Sequence, residues 1–304
     1  MYRTFVILRH TFFETVVQPI YTLLVGLGVA ILVIFALLPF FTLGEDTVMY
    51  KAVGLDVILL VVLLATLFAT SRSIYEEIED RTMLTLMSKP VRKWQVLVGK
   101  YLGIIAAALL AIAILGTVFM LATYWRLPGD YQLRMNTLDE RDLRRAFEMR
   151  YMHLYGLVPS LLLVWLQVGV LASISVALST RFSLVVNLPT VILLYIAGNL
   201  TRFLFPMTGP GGTLADSSPL TRGVAYVGSL VLPYLETFDL RQFTVYAPIA
   251  LPGTEYTENP LAIAPGTIWG MFGVSAVYGI AYAVFALAVG LWLFQNRELG
   301  GAEG

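Results

Sequence analysis

Hydrophobic positions in this chain fall into long unbroken runs rather than the alternation of half-buried strands. Six runs approach the roughly 20 apolar helical residues that cross a bilayer core about 30 Å thick. They cover residues 20–41, 53–70, 101–124, 157–178, 184–205 and 268–294. The first is interrupted only by Pro39 near its end, and the second is slightly short. Inside lipid every backbone N–H and C=O must be paired within its own segment, so these runs predict helices. A membrane barrel would show shorter, alternating strands, and the runs show none. The expected fold is an all-α membrane protein with six transmembrane helices in a single domain.

The segments between the runs carry the polar residues. Residues 1–18 place Arg3, Arg9, His10 and Glu14 among Phe5, Val6, Phe12 and Phe13. They read either as a helix lying at the interface before Pro19 or as an extension of the first span. The apolar stretch behind them is too long for a cleaved signal peptide, so the first span is expected to be retained. Residues 125–156 include Thr137-Leu138-Asp139-Glu140, a capping box opening a helix with Arg141, Arg144, Arg145 and Glu148. A mixed-charge exposed helix is the plain reading, and contact with an extracytoplasmic partner or an anionic substrate is the functional one. Residues 206–267 are rich in proline and glycine, and within them 223–235 reads as an interfacial or re-entrant helix.

Composition supports lipid as the main solvent. Of the 304 residues, 58% are apolar and 13% charged, against about 25% charged in soluble domains. The net charge is zero, which gives no bulk attraction to nucleic acid. There is no cysteine and there are two histidines. Disulfides, thiol chemistry and cysteine metal sites are thereby excluded, and His10 and His153 lack ligands at metal spacing. No catalytic set is apparent. Gly99-Lys100 is not a phosphate-binding loop, because it lacks the upstream glycine and the following Ser/Thr. The twenty basic residues divide ten and ten between the two sides, so the positive-inside count decides nothing. The two arginines before the first span, against one lysine after it, lean toward a cytoplasmic N-terminus.

Residues 71–100 are the most informative. Ile74, Ile78, Met83, Leu84, Leu86 and Met87 recur near helical spacing. Arg72 to Glu76 and Glu77 to Arg81 stand at i,i+4 and predict ion pairs. Pro90 pushes Lys89 out of the helical region and opens a second short helix with Arg92, Lys93 and Trp94. Two short amphipathic helices joined at Ser88-Lys89-Pro90 are expected. They form either a docking surface or an interfacial loop that anchors helix ends.

Here the chain resembles type-2 ABC transporter permeases. The run is Glu77-x-Glu79-Asp80-Arg81-Thr82-x-Leu84-x-Leu86-Met87-Ser88-Lys89-Pro90-Val91-x-Lys93-Trp94-Gln95, continuing to Gly99-Lys100-Tyr101-Leu102-Gly103. More narrowly, it is similar to the branch that includes the nitrous-oxide-reductase maturation permease. That family often has Gly where this chain has Arg81, and Ser-Arg where it has Arg92-Lys93. His10-Thr11-Phe12-Phe13-Glu14, the 232–241 segment from Leu232-Pro233 to Leu240-Arg241, and Phe294-Gln295-Asn296-Arg297-Glu298-Leu299 resemble further family segments in the expected order.

The resemblance implies a half-transporter with 71–100 in the cytoplasm, docked on a separate ATP-binding subunit. It implies an exporter that works with a second permease copy or paralogue. The chain would then be a multi-pass inner-membrane protein with both termini cytoplasmic and no cofactor. Glu76, Glu77, Glu79, Asp80 and Arg81 would face the ATPase, while Lys89, Pro90 and Arg92 fix the turn. A scaffold or channel component is the alternative.

Polar residues within the runs are Asp56, Gln167, Asn187 and Asn199. Asp56 and Asn187 stand near run ends, where the interface solvates them. Gln167 and Asn199 are the pore-facing candidates, with interhelical bonding as the plainer alternative. Gly169, Ser173 and Ala177, and again Ser275, Gly279 and Ala283, form small-residue stripes that allow close packing within one chain or at a dimer seam.

Overall fold

The computed structural model describes residues 2–38, 46–83, 91–130, 140–201, 232–252, 254 and 259–295. Seven helices of 16 residues or more organise them. These are α1 (Tyr2–Val17), α2 (Pro19–Leu37), α3 (Asp46–Thr70), α4 (Lys93–Asp130), α5 (Glu140–Ser179), α6 (Leu184–Asn199) and α7 (Pro265–Gln295). Five helical stretches are long and apolar enough to cross a membrane: Pro19–Leu37, Asp46–Glu79, Lys93–Arg126, Phe147–Ser179 and Pro265–Gln295. The fifth expected span, 184–205, is an unbroken helix over Leu184–Asn199. Its 16 residues reach about 24 Å at 1.5 Å per residue. The rest of that run, 202–205, lies outside the described residues.

α1 is separate from α2. Gln18 is extended, with φ −60° and ψ 129°, because the Pro19 ring crowds an α conformation in the residue before it. α1 instead packs across the start of α4. A Cβ on Gly103 would lie 2.6 Å from the Leu8 carbonyl oxygen, so only glycine permits this approach. The reading of 1–18 as an extension of the first span is therefore set aside.

α3 and α5 form the centre. In their most apolar windows 67% and 72% of residues are buried, against 22% in α2 and 33% in α7. Leu55, Leu59, Val62 and Leu63 of α3 meet Leu157, Leu161, Val164 and Val168 of α5 in one core. The charged stretch expected as a separate helix is the outer part of α5 itself. Glu148 is buried and accepts a hydrogen bond from Arg144 Nε at 3.0 Å.

Helix ends fix which termini share a side. Arg126, near the end of α4, donates to the carbonyls of Phe35, Ala36 and Leu38, each at 2.9 Å, and closes the end of α2. A cation there meets the free carbonyls and the negative end of the helix dipole. On the opposite side Lys93 donates to Phe294 O and Gln295 O, and Arg181 to Leu293 O at 3.0 Å. The ends of α5 and α7 are thus neighbours, and the chain between them must return to the far side before α7 begins.

Part of that return path is packed inside the bundle. Leu235, Phe238, Leu240 and Val245 are all buried in the main core. Irregular backbone at this depth is tolerated because protein surrounds it. Gly279 of α7 makes the space, since a Cβ there would stand 3.0 Å from Phe238. Ser275 donates to Thr237 O at 2.6 Å, and Ala177 packs on Gly290. Both small-residue stripes therefore serve packing within the chain. Residues 223–231 lie outside the described residues.

Candidate functional site

The membrane helix α3 continues past Thr70 without a break in the rod. Ser71–Glu76 forms a π-helical turn and Glu77–Glu79 returns to α geometry. Single π turns widen the helix and free backbone carbonyls for outside partners. One such carbonyl is used here. Lys100 of α4 donates from Nζ to Ser73 O, to Ser73 Oγ at 3.1 Å and to Glu77 Oε1 at 2.6 Å. Three acceptors meet the three ammonium protons, which completes the group's capacity. The Lys100 side chain is 4% exposed and that of Glu77 26%.

The clasp separates the expected docking residues. Glu77 points inward to Lys100 and does not pair with Arg81, contrary to the i,i+4 expectation. Glu76, Glu79, Asp80 and Arg81 are exposed. The Arg72–Glu76 pair is present at 3.9 Å with both side chains about half exposed, a geometry that contributes little. Ile74, Ile78 and Met83 turn inward onto Val96, Leu97, Val176 and Phe294.

Arg81 ends the helix. Its φ is 60°, the left-handed region where a side chain costs about 1 kcal/mol or more. This is the position where the resembling family often has Gly. The Arg81 N–H reaches Ile78 O at 3.3 Å, and Thr82 Oγ1 donates to Glu77 O at 3.1 Å. These bonds satisfy carbonyls at the helix end.

The second expected short helix is the start of α4. Arg92 is exposed at its N-cap, and its N–H donates to Gln95 Oε1 at 3.1 Å. A side chain three positions into the helix thus closes the cap, as in a capping box. The flank after the turn is thus the continuation of a membrane helix. On the flank before it the chain is helical again at Thr82 and Met83, beyond the break at Arg81. Residues 84–90, with Lys89 and Pro90, lie outside the described residues.

Asn187 is fully buried rather than solvated at an interface. Its Nδ2 lies 2.8 Å from Ser175 Oγ, 2.9 Å from Ser179 Oγ and 3.2 Å from Ser71 Oγ. It therefore ties α6 and α5 to the π turn. Its Oδ1 is buried without a partner.

A second polar region lies deeper. Asp56 stands ten residues into α3, not at a helix end. Arg241 Nη1 donates to Asp56 Oδ2 at 2.9 Å, and its Nη2 to Asp56 Oδ1. This is the two-pronged geometry in which guanidinium and carboxylate bind most firmly. Arg241 Nε is also 3.4 Å from Asp239 Oδ1. A small cavity of about 30 Å³ adjoins the pair, and Gln167 and Asn199 both line it with Tyr195, Asp239 and Arg241. The two pore-facing candidates are thus brought to one wall.

Gln167 is 6% exposed and makes no hydrogen bond to the described residues. Asn199 Nδ2 donates to Tyr195 O at 2.8 Å. Farther along α3, buried Lys51 Nζ sits 2.7 Å from His153 Nδ1 and donates to Val245 O at 3.2 Å.

Sequence reasoning missed Lys100, Arg241 and Lys51 as structural partners. Lys100 stood out in the Gly99-Lys100-Tyr101-Leu102-Gly103 run, but nothing in the run named Ser73 and Glu77 as its partners. The partner choice of Arg241 depends on a fold-back 185 residues from Asp56.

The model of the ABC-2 family transporter proteins matches residues 56–299. The chain belongs to the ABC-2 transporter family. Permeases of this family are the transmembrane components of ABC transporters and are not themselves catalytic. A search of curated proteins gives no match. The match covers both polar regions, from Asp56 through the Lys100 clasp to Arg241.

Proposed function

We propose that the chain is the membrane-spanning half of an ATP-driven exporter. It pairs with a second permease copy or paralogue, and a separate ATP-binding subunit supplies the energy. The observation that carries this reading is the 34-residue helix Asp46–Glu79. It runs from the Asp56–Arg241 pair through the core to an exposed charged end. Glu76, Glu79, Asp80, Arg81 and Arg92 present the docking face, with Lys89 and Pro90 fixing the turn between the flanks. Movement of the ATPase pushes on this end, and the saturated Lys100 clasp passes the push to α3 and α4 together.

Six crossings fit the path of the chain. α5 and α7 end side by side, so an odd number of crossings must separate them before α7 starts. α6 spans about 24 Å and supplies the return crossing. The docking face then lies in the cytoplasm with both termini, and the protein sits in the inner membrane. By motif the chain resembles the branch that includes the nitrous-oxide-reductase maturation permease. Gln167 and Asn199 contribute to the permeation path.

The test is capture of the tagged chain from native membranes in mild detergent. Wild type brings down a stoichiometric ATP-binding subunit. Glu79→Lys with Asp80→Lys loses it while still inserting in the membrane. Recovery of the chain without an ATP-binding subunit, under conditions that preserve other membrane complexes, overturns the reading in favour of a scaffold or channel.

A further inference from the structure

We propose that the cavity between α3, α5, α6 and the Phe238–Arg241 turn binds a protonated amine. This rests on the permease reading and names the chemistry of what the polar site takes.

Charge comes first. The site holds two carboxylates, Asp56 and Asp239, and one guanidinium, Arg241, so it carries a net charge of minus one. The guanidinium is already committed. Its two Nη groups meet Asp56, and its Nε faces Asp239. An anion would have to break that fork. Asp239 uses only Oδ1, which faces Arg241 Nε and accepts from the Arg241 N–H at 3.1 Å. Its other oxygen remains for a donor.

The second observation is independent of the acids. Gln167 is more than nine-tenths buried, lines the cavity and has no hydrogen-bond partner among the described residues. Its carbonyl is an acceptor waiting for a donor. Asn199 spends its N–H on Tyr195 O, which leaves its carbonyl as the free end.

Size and lining set the rest of the ligand. About 30 Å³ is one water's share of liquid volume, and an ammonium group is of that size. The cavity therefore takes the ammonium head alone, and the alkyl stem of the ligand lies outward, past the acidic rim. Asp56 and Asp239 are about half exposed, so the cavity is approached from its acidic rim.

The experiment uses the purified full-length chain in phosphatidylcholine nanodiscs, titrated with n-butylammonium and with n-butanol as the neutral control. Calorimetry reads the binding. The expected result is saturable binding of the amine and at least tenfold weaker binding of the alcohol. Asp239→Asn weakens the amine at least tenfold, Asp239→Glu restores most of it, and Gln167→Leu weakens it several-fold. Thermal unfolding checks that each variant is folded. Competition by phosphatidylethanolamine added to the discs supports a lipid head group as the source of the amine, and its absence supports a soluble amine.

Equal binding of amine and alcohol overturns the proposal, as does unchanged affinity in folded Asp239→Asn or a lack of saturable binding. Capture of the ATP-binding subunit is scored on the same preparations. Loss of capture by wild type counts against the permease reading, whereas loss of amine binding with capture intact counts against this site alone.

Discussion

The two polar regions along α3 are built in opposite ways. At the π turn, Lys100 satisfies all three of its protons on Glu77 and Ser73. In the deeper pocket the Asp56–Arg241 fork is complete, but Gln167 beside it is left unpaired. A polar group fully paired in a low-dielectric interior resists displacement, and one left unpaired has capacity to spare. The first arrangement suits transmission of force between helices. The second suits recognition of something that comes and goes.

The sharpest way to break this contrast is to empty the clasp. Lys100→Met strands the Glu77 carboxylate and lowers stability by roughly 3 kcal/mol, read by thermal unfolding in nanodiscs. Adding Glu77→Met should recover most of the loss, because removal of both partners leaves no uncompensated charge. If the double variant is as unstable as the single one, the pair is not the organising contact. Asp56→Asn comes next, at roughly 2 kcal/mol, since one charged and aligned prong of the fork is lost. A loss as large as that of Lys100→Met would erase the difference between a clasp shut off from solvent and a pair at a half-exposed rim.

Arg81→Gly should raise stability by up to about 1 kcal/mol by relieving the left-handed backbone. A fall in melting temperature would show that the Arg81 side chain contributes more than its backbone costs. The smallest effect sharpens the contrast most. Gln167→Leu should change stability by no more than about 0.5 kcal/mol, or raise it, because no hydrogen bond is lost. A clear destabilisation would mean that the amide is structurally engaged.

Much of this was legible in the sequence. Apolar run length located five of the expected spans, and Pro19 marked the break between α1 and α2, because both signals act locally. Helix ends were underestimated. Lys51 was assigned to a loop and Glu148 to an exposed helix, yet the membrane helices carry both inside, where hydrogen-bond partners make burial tolerable. Hydropathy registers the charge but not the partner. The same blindness hid the division of the acidic cluster. Glu77 and Glu79 are two positions apart and so face different sides of a helix, but only the position of Lys100 tells which side is inward. The fold-back of 232–251 was illegible for another reason. Its short irregular turns have no period, and their burial depends on a groove made by α5, α6 and α7.

The central claim is that the end of α3 is the cytoplasmic docking face for an ATP-binding subunit. The absence of cysteine from the chain permits a direct measurement. A single Glu79→Cys variant is exposed to a membrane-impermeant maleimide in inverted and right-side-out vesicles, with and without the ATP-binding subunit. The account predicts labelling only in inverted vesicles, and protection when the subunit is bound. Labelling from the outer face, or equal labelling with the subunit present, would contradict it.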